Sequence, residues 1–147
     1  MPMLEAQAQK EGFKHCFPLF FIKKTSSQVL KANMRIVGAT EFAAVFYRDK
    51  LPKFNNDGHM ILDHMAWEVD PGYPKIHPTQ KPIPVLKKLI RLFTDPGDVV
   101  IDPTAGSGST LRAAAELKRN TYGFEVEKGI YEKAEKEMLG HAELNLI

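Results

Sequence analysis

The sequence predicts an α/β fold, and three observations carry that expectation. Leu86, Leu89, Ile90 and Phe93 fall at i, i+3, i+4 and i+7, the spacing of a helix with one buried stripe. The β-branched run "DVVID" (98–102) then leads through the glycine turn "DPTAGSG" (102–108) into the helix-forming "GSTLRAAAELKRN", and "TYGFEV" (121–126) reads as a further strand. Strand, turn, helix and strand at this spacing describe a βαβ unit.

Bulk properties set the frame. A chain of 147 residues, 44% hydrophobic and 26% charged, suits one globular domain. Cys16 is the only cysteine, so no intramolecular disulfide is open to the chain and no paired Cys/His spacing for zinc exists. A reducing cytoplasm fits that usage, and the apolar runs fall short of the ~20 residues that span a bilayer. Charge is uneven under a net of +2. Residues 22–53 hold seven Lys/Arg against Glu41 and Asp49, the local pattern expected either of phosphate contacts or of a solvated hairpin face.

Taken in order, residues 3–14 are rich in helix formers and break at Gly12, which predicts a short helix. "FPLFFIKK" (17–24) and "TEFAAVFYRD" (40–49) are apolar runs bounded by turn or charged residues, read as two antiparallel strands joined by a polar, basic loop. The stretch up to Pro82 has no clear period and reads as an irregular connection. The helix that follows starts at Pro82 and Pro84 and ends at "TDPG" (94–97), with Lys87, Lys88 and Arg91 on its solvent face. "DVVID" is of the kind buried on both faces of a parallel sheet. A last helix over 128–139 should turn Ile130, Tyr131, Ala134 and Met138 inward.

The chemistry concentrates at the turn made of Asp102, Pro103, Thr104, Ala105, Gly106, Ser107 and Gly108. Glycines permit a tight turn and close ligand approach at the carboxyl end of the strand. Glu125 lies 19 residues after Gly106, where an acid can accept hydrogen bonds from ribose hydroxyls. Turn and acid together describe an adenosine-type pocket. No GxxxxGK[ST] is present, and the third glycine of a dinucleotide GxGxxG is replaced by Leu111, so phosphate ligands are disfavoured. Asp102 would repel phosphate but suits a cationic amino-acid end, as S-adenosylmethionine has. A purely structural turn and a nicotinamide oxidoreductase fragment are the alternatives on local pattern.

"DPTAGSGST" resembles the cofactor motif of amino-group DNA methyltransferases, which modify adenine N6 or cytosine N4, and the phage and restriction-modification members look closest. "HPTQKP" (77–82) is similar to the loop preceding that motif where the catalytic motif comes first in the chain; "YGFEVEKGIYEKA" and "FIKK…ATEFAAVFYRDKLPKFN" resemble the acidic-strand and hairpin motifs. The resemblance spans residues 4–139. It implies a partial Rossmann-like, S-adenosylmethionine-dependent methyltransferase fold with an incomplete sheet and central strands missing. The implied organisation is a single partial domain (1–147) comprising a hairpin with basic loop (17–53), an irregular target-recognition-like connection (54–76) and a cofactor-binding βαβ part (77–139). By the same resemblance the 102–108 turn and Glu125 hold the cofactor, His77, Thr79 and Lys81 close over it, and Lys23, Lys24, Lys31 and Arg35 face double-stranded DNA.

One departure bears on activity. The family captures the target amine with [DNS]PP[YFW], and no such tetrapeptide occurs in these residues; the nearest string, "DPGY" (70–73), has Gly72 in place of the second proline. No catalytic residue is therefore assigned, and the expectation is the C-terminal part of a methyltransferase, as half of a split enzyme completed by an N-terminal fragment, as the product of a truncated gene or as a chain with a misassigned start, or else a non-catalytic remnant that binds cofactor or DNA. His15, Cys16, His59, His64 and His141 lack ligand spacing and read as surface or packing residues. Trp67 reads as a loop anchor or a recognition residue, and Asp95 and Asp98 as turn residues.

Overall fold

The computed structural model describes residues 2–26 and 28–140; His141 lies outside them. Contacts group the chain into two compact units, Met1–Trp67 and Glu68–Ile147.

The first unit is built on a three-stranded sheet. Helix α1 (Pro2–Lys10) ends where Gly12 takes a positive φ of 79°. Strand β1 (Lys14–Ile22) then pairs antiparallel with β4 (Thr40–Tyr47), as expected, with a bulge between His15 and Phe17. Two elements lie where the sequence reads as irregular. β2 (Val29–Lys31) and β3 (Ile36–Val37) form a separate two-stranded ribbon inside the basic loop, and β5 (His64–Ala66) adds parallel to β1, giving the order β4-β1-β5. Both are too short to show a period. Leu19 and Phe21 bury one face of β1. Trp67 is an anchor: its amide donates to the Ile22 carbonyl (2.8 Å), its ring meets Phe21 edge-on, and the Lys23 ammonium lies 4.8 Å from its centre.

The second unit holds helix α2 (Ile83–Phe93), strand β6 (Val99–Asp102), helix α3 (Ser109–Glu116), strand β7 (Asn120–Gly123) and helix α4 (Lys128–Lys133), which widens into a π-helical stretch over Ala134–Leu139. β6 and β7 pair in parallel, Val99 with Asn120 through Asp102 with Gly123, which makes β6-α3-β7 the βαβ unit. Ile83, Ile90, Ala113, Ala114 and Met138 form the core, with Tyr73, Leu86, Val100 and Leu139 packed against it. Asp95 and Asp98 tie the turn before β6, the Asp95 amide donating to the Asp98 carboxylate at 2.8 Å.

Several expectations require correction here. β6 is covered on one face only: Val100 packs inward, whereas Val99 and Ile101 are 53% and 61% exposed. A short β-branched run cannot tell one covered face from two. The strand expected at 121–126 runs from Asn120 to Gly123, since Phe124 leaves the ladder to close the turn. On α2, Ile83, Val85, Ile90 and Leu92 are buried, while Leu86, Leu89 and Phe93 are only half-buried, because α3 and the 70–76 loop enlarge the covered surface. In the last helix Ala134 and Met138 are buried, but Tyr131 is exposed and donates to Glu135.

Lys87 also leaves its expected solvent face. Its ammonium pairs with Glu116 and donates to the Tyr73 hydroxyl (2.9 Å), which donates in turn to Glu116 (2.7 Å). Arg112 adds a second ion pair to Glu116 and reaches the Met138 carbonyl at 2.8 Å. The cluster thus clamps α2, α3, the 70–76 loop and the C-terminal helix. Burial alone would raise the Glu116 pKa, but hydrogen bonds from Lys87, Arg112 and Tyr73 outweigh it and hold the carboxyl at about 2. A pKa lowered on folding stabilises fully above the ordinary carboxylate range and is lost as pH falls towards the folded value. With solvent screening, its worth is about 1 kcal/mol.

Urea melts of Glu116→Gln should show a loss of about 1 kcal/mol at pH 7 that shrinks between about pH 4.5 and 2; an equal loss at pH 7 and pH 2 would separate Glu116 from the acid response. At Gly123, an added Cβ would sit 2.4 Å from Leu111 Cδ1 and 3.1 Å from the Ala105 Cβ. Gly123→Ala should therefore cost about 1–3 kcal/mol by overpacking, read as a lowered Tm.

Candidate functional site: the turn after β6

The turn is shaped by backbone geometry and two carboxylates. Gly106 and Gly108 take φ of 52° and 74°, a left-handed conformation that glycine adopts at little cost. Gly108 then caps α3. Ser107 and Ser109 are buried and share a hydrogen bond of 2.9 Å, so these polar side chains serve the turn's own structure.

Most of the amides that could cradle an anion are already committed. The Thr104 amide donates to Asp102 Oδ1 (3.1 Å), Ala105 to the Phe124 carbonyl (2.8 Å), Gly106 to Glu125 Oε2 (2.9 Å) and Gly108 to the Ala105 carbonyl (2.8 Å). Glu125 Oε1 accepts from the Glu127 amide at 2.8 Å. A phosphate-binding turn works in the opposite way, with free N–H groups converging on negative charge. Here two carboxylates border the turn, an arrangement that favours a ligand carrying hydroxyls and positive charge. Glu125 uses two of roughly four acceptor positions of a carboxylate, which leaves capacity for a pair of hydroxyl donors.

Leu111 occupies the place where a dinucleotide fold has its third glycine. The structure accommodates it through Gly123 on the facing strand, where Leu111 fills the space that a Cβ would take. Helix and strand thus approach closely by an exchange of small and large residues. Gly123 was legible in the sequence only as one more glycine, and its partner becomes evident from the β6–β7 register.

The remaining candidates divide among other places. His77 and Thr79 hold one another in the loop before α2, with His77 Nδ1 2.9 Å from Thr79 Oγ1 and accepting from the Thr79 amide at 3.3 Å. Gln80, within "HPTQKP" but not among the predicted site residues, braces that loop by accepting from the Ile76 amide (3.0 Å) and donating to the Pro74 carbonyl (2.8 Å). Lys81 and Pro103 are both exposed. In the first unit, Lys23 is engaged by Glu41 and the Trp67 ring, whereas Lys24, Lys31 and Arg35 are exposed.

"DPGY" is a turn closed on itself. The Asp70 carboxylate accepts from the Gly72 amide at 2.8 Å, and the Tyr73 ring belongs to the Lys87–Arg112–Glu116 cluster. Both groups that would grip a base are thus committed to structure. Among the described residues no cluster of His, Cys, Asp and Glu could hold a metal, and no helix is long and apolar enough to cross a membrane.

The profile of the N6/N4 family of DNA methylases matches residues 5–136. The type II methyltransferase M.HindIII of Haemophilus influenzae is 49% identical over 71 residues, 48% of this chain and 22% of its own; M.MjaI of Methanocaldococcus jannaschii is 41% identical over 69 residues, 44% of this chain and 23% of its own. The aligned stretch is thus under a quarter of these relatives' length. Among solved structures, the M1.HpyAVI–SAM complex superposes with a TM-score of 0.81 at 29% identity, covering 93% of this chain and 68% of that one. The cytosine-N4-specific PvuII DNA methyltransferase shares the fold at a TM-score of 0.78 and 18% identity, with 57% of its chain covered. With its glycine turn, its bordering acids and its incomplete α/β sheet, this chain belongs to the N6/N4 DNA methylase family.

Proposed function

We propose that these residues form the cofactor-binding and hairpin part of a DNA amino-methyltransferase, which uses S-adenosylmethionine to methylate an exocyclic amine of adenine or cytosine. The observation that carries this reading is the turn with its amides committed and two carboxylates beside it. Glu125 would accept from the ribose hydroxyls, Asp102 and the 103–108 backbone would hold the methionine end, and His77, Thr79 and Lys81 would close from the loop before α2. Bound there, the cofactor supplies an electrophilic methyl group on sulfonium. The chain's residues orient it and keep phosphate ligands out. Lys24, Lys31 and Arg35 would meet the DNA backbone.

Capture of the target amine would come from sequence outside these 147 residues. Each unit offers an open edge for it: among the described residues β6 pairs only with β7, and β4 only with β1. Soluble proteins normally cover such strand edges, and Val99, Ile101, Tyr122 and Phe124, each more than half exposed, leave an apolar face beside the β6 edge that calls for a covering layer as well. Strands bearing [DNS]PP[YFW] would pair with the edges, supplied on the same polypeptide or as a separate fragment. The commitment of Asp70 and Tyr73 to structural contacts favours a second reading, a binding remnant without turnover.

Calorimetric titration should detect S-adenosylmethionine binding, with NADH silent, and Glu125→Ala should weaken it at least tenfold; NADH binding of equal strength would overturn the cofactor assignment. Tritiated methyl transfer to duplex DNA should be absent with these residues alone and restored by a separately produced fragment bearing the tetrapeptide. Cofactor binding without transfer in that mixture would establish the remnant reading instead.

A further inference from the structure

We propose that the β2–β3 ribbon, residues 28–37, is a DNA major-groove reader whose aliphatic side chains contact thymine methyl groups while Lys31 and Arg35 contact phosphates. The proposal deepens the DNA-directed reading above and rests on it. A two-stranded ribbon with no covered face has little to stabilise it in water. Every described residue from 28 to 37 is exposed, and Val29, Leu30, Met34, Ile36 and Val37 each leave 44–64% of their surface in solvent. Such a concentration of aliphatic surface on an isolated ribbon calls for a partner.

Charge decides which partner. No Asp or Glu occurs between Lys23 and Ala39, while Lys24, Lys31 and Arg35 are exposed and have no acidic partner among the described residues. A polyanion with apolar groups recessed between its charges fits that mixture. The major groove is such a surface: it admits a two-stranded ribbon, lines its rim with phosphates and presents the thymine C5-methyl on its floor.

The ribbon is also shaped for display. Its register shifts between Val29 and Lys31, a bulge of the kind that re-aims a side chain. Its tip is a 3-10 turn over Ala32–Met34, closed by Arg35 at φ 56° with its amide on the Ala32 carbonyl. At the base, the Gly38 amide donates to the Gln28 carbonyl at 2.7 Å, and Leu30 leans over Gly38 where a Cβ would stand 3.1 Å from it. The turn lifts Met34 and Arg35 together to the end of the ribbon.

Fluorescence anisotropy with poly(dA-dT) and poly(dA-dU) duplexes tests this, because the two polymers differ only in the thymine methyl. The parent chain should favour the thymine polymer by about fourfold per methyl contacted. A Val29→Ser, Met34→Ser, Ile36→Ser variant should bind both polymers alike at the weaker level with an unchanged salt slope. Lys31→Gln with Arg35→Gln should keep the thymine preference and reduce the salt slope by about 1.8. All five positions are exposed, and unchanged circular dichroism would confirm intact folding of the variants.

Equal parent affinity for the two polymers would overturn the proposal. So would binding to phosphatidylserine vesicles with none to either duplex, which would make the ribbon a membrane contact. Dialysis with S-adenosylmethionine on the same samples separates the two readings. Cofactor binding without methyl-sensitive DNA binding defeats the ribbon alone, and the converse defeats the cofactor assignment alone.

Discussion

The clasp of Glu125 on the backbone is the contact on which the turn after β6 depends. One carboxylate oxygen accepts the Gly106 amide and the other the Glu127 amide. It therefore joins the turn after β6 to the segment after β7, across the carboxyl end of the sheet. Phe124 and Ala105 reinforce the link: the Ala105 amide reaches the Phe124 carbonyl, and the Phe124 amide reaches that of Asp102. These bonds consume donors that would otherwise invite an anion. Negative charge and scarcity of free amides arise from the same residues, so the turn's shape and its unfitness for an anion have one cause.

A second clamp carries mechanical load behind that surface. Glu116 gathers Lys87, Arg112 and Tyr73, and through them α2, the loop before it and the end of the π-helical stretch are tied to α3. Ala113 and Ala114 of α3 are fully buried beneath it. Gly123 permits the close approach of α3 to β7 on the other side. The helix that begins at the turn is thereby held from several directions, which a preorganised binding site needs. Tyr73 belongs to this framework, and its employment there argues against a catalytic use of "DPGY".

The sequence was most readable where periods are long and turn chemistry is strict. Helix α2, the strand–turn–helix around Gly106 and the β1–β4 pairing could be placed from residue pattern alone, whereas the glycine turn with its distant acid left a structural turn and a nicotinamide fragment open until the family resemblance was added. What stayed hidden depended on neighbours. Nothing in "DVVID" tells whether Val99 and Ile101 have a covering element, and nothing in the spacing of α2 shows that Lys87 will meet Glu116. The β2–β3 ribbon was concealed because three- and two-residue strands carry no alternation to read. Lys23 looked like its basic neighbours until Glu41 and Trp67 were found beside it.

The central claim is that the 102–108 turn is selective for an adenosyl ligand with a cationic end. Amide hydrogen exchange at residues 104–108 and at Glu127, with S-adenosylmethionine or ATP added at equal concentration, tests it most directly. Slowed exchange at these amides with S-adenosylmethionine and none with ATP is the result the account predicts. Equal protection by ATP, or protection by neither ligand, would contradict it.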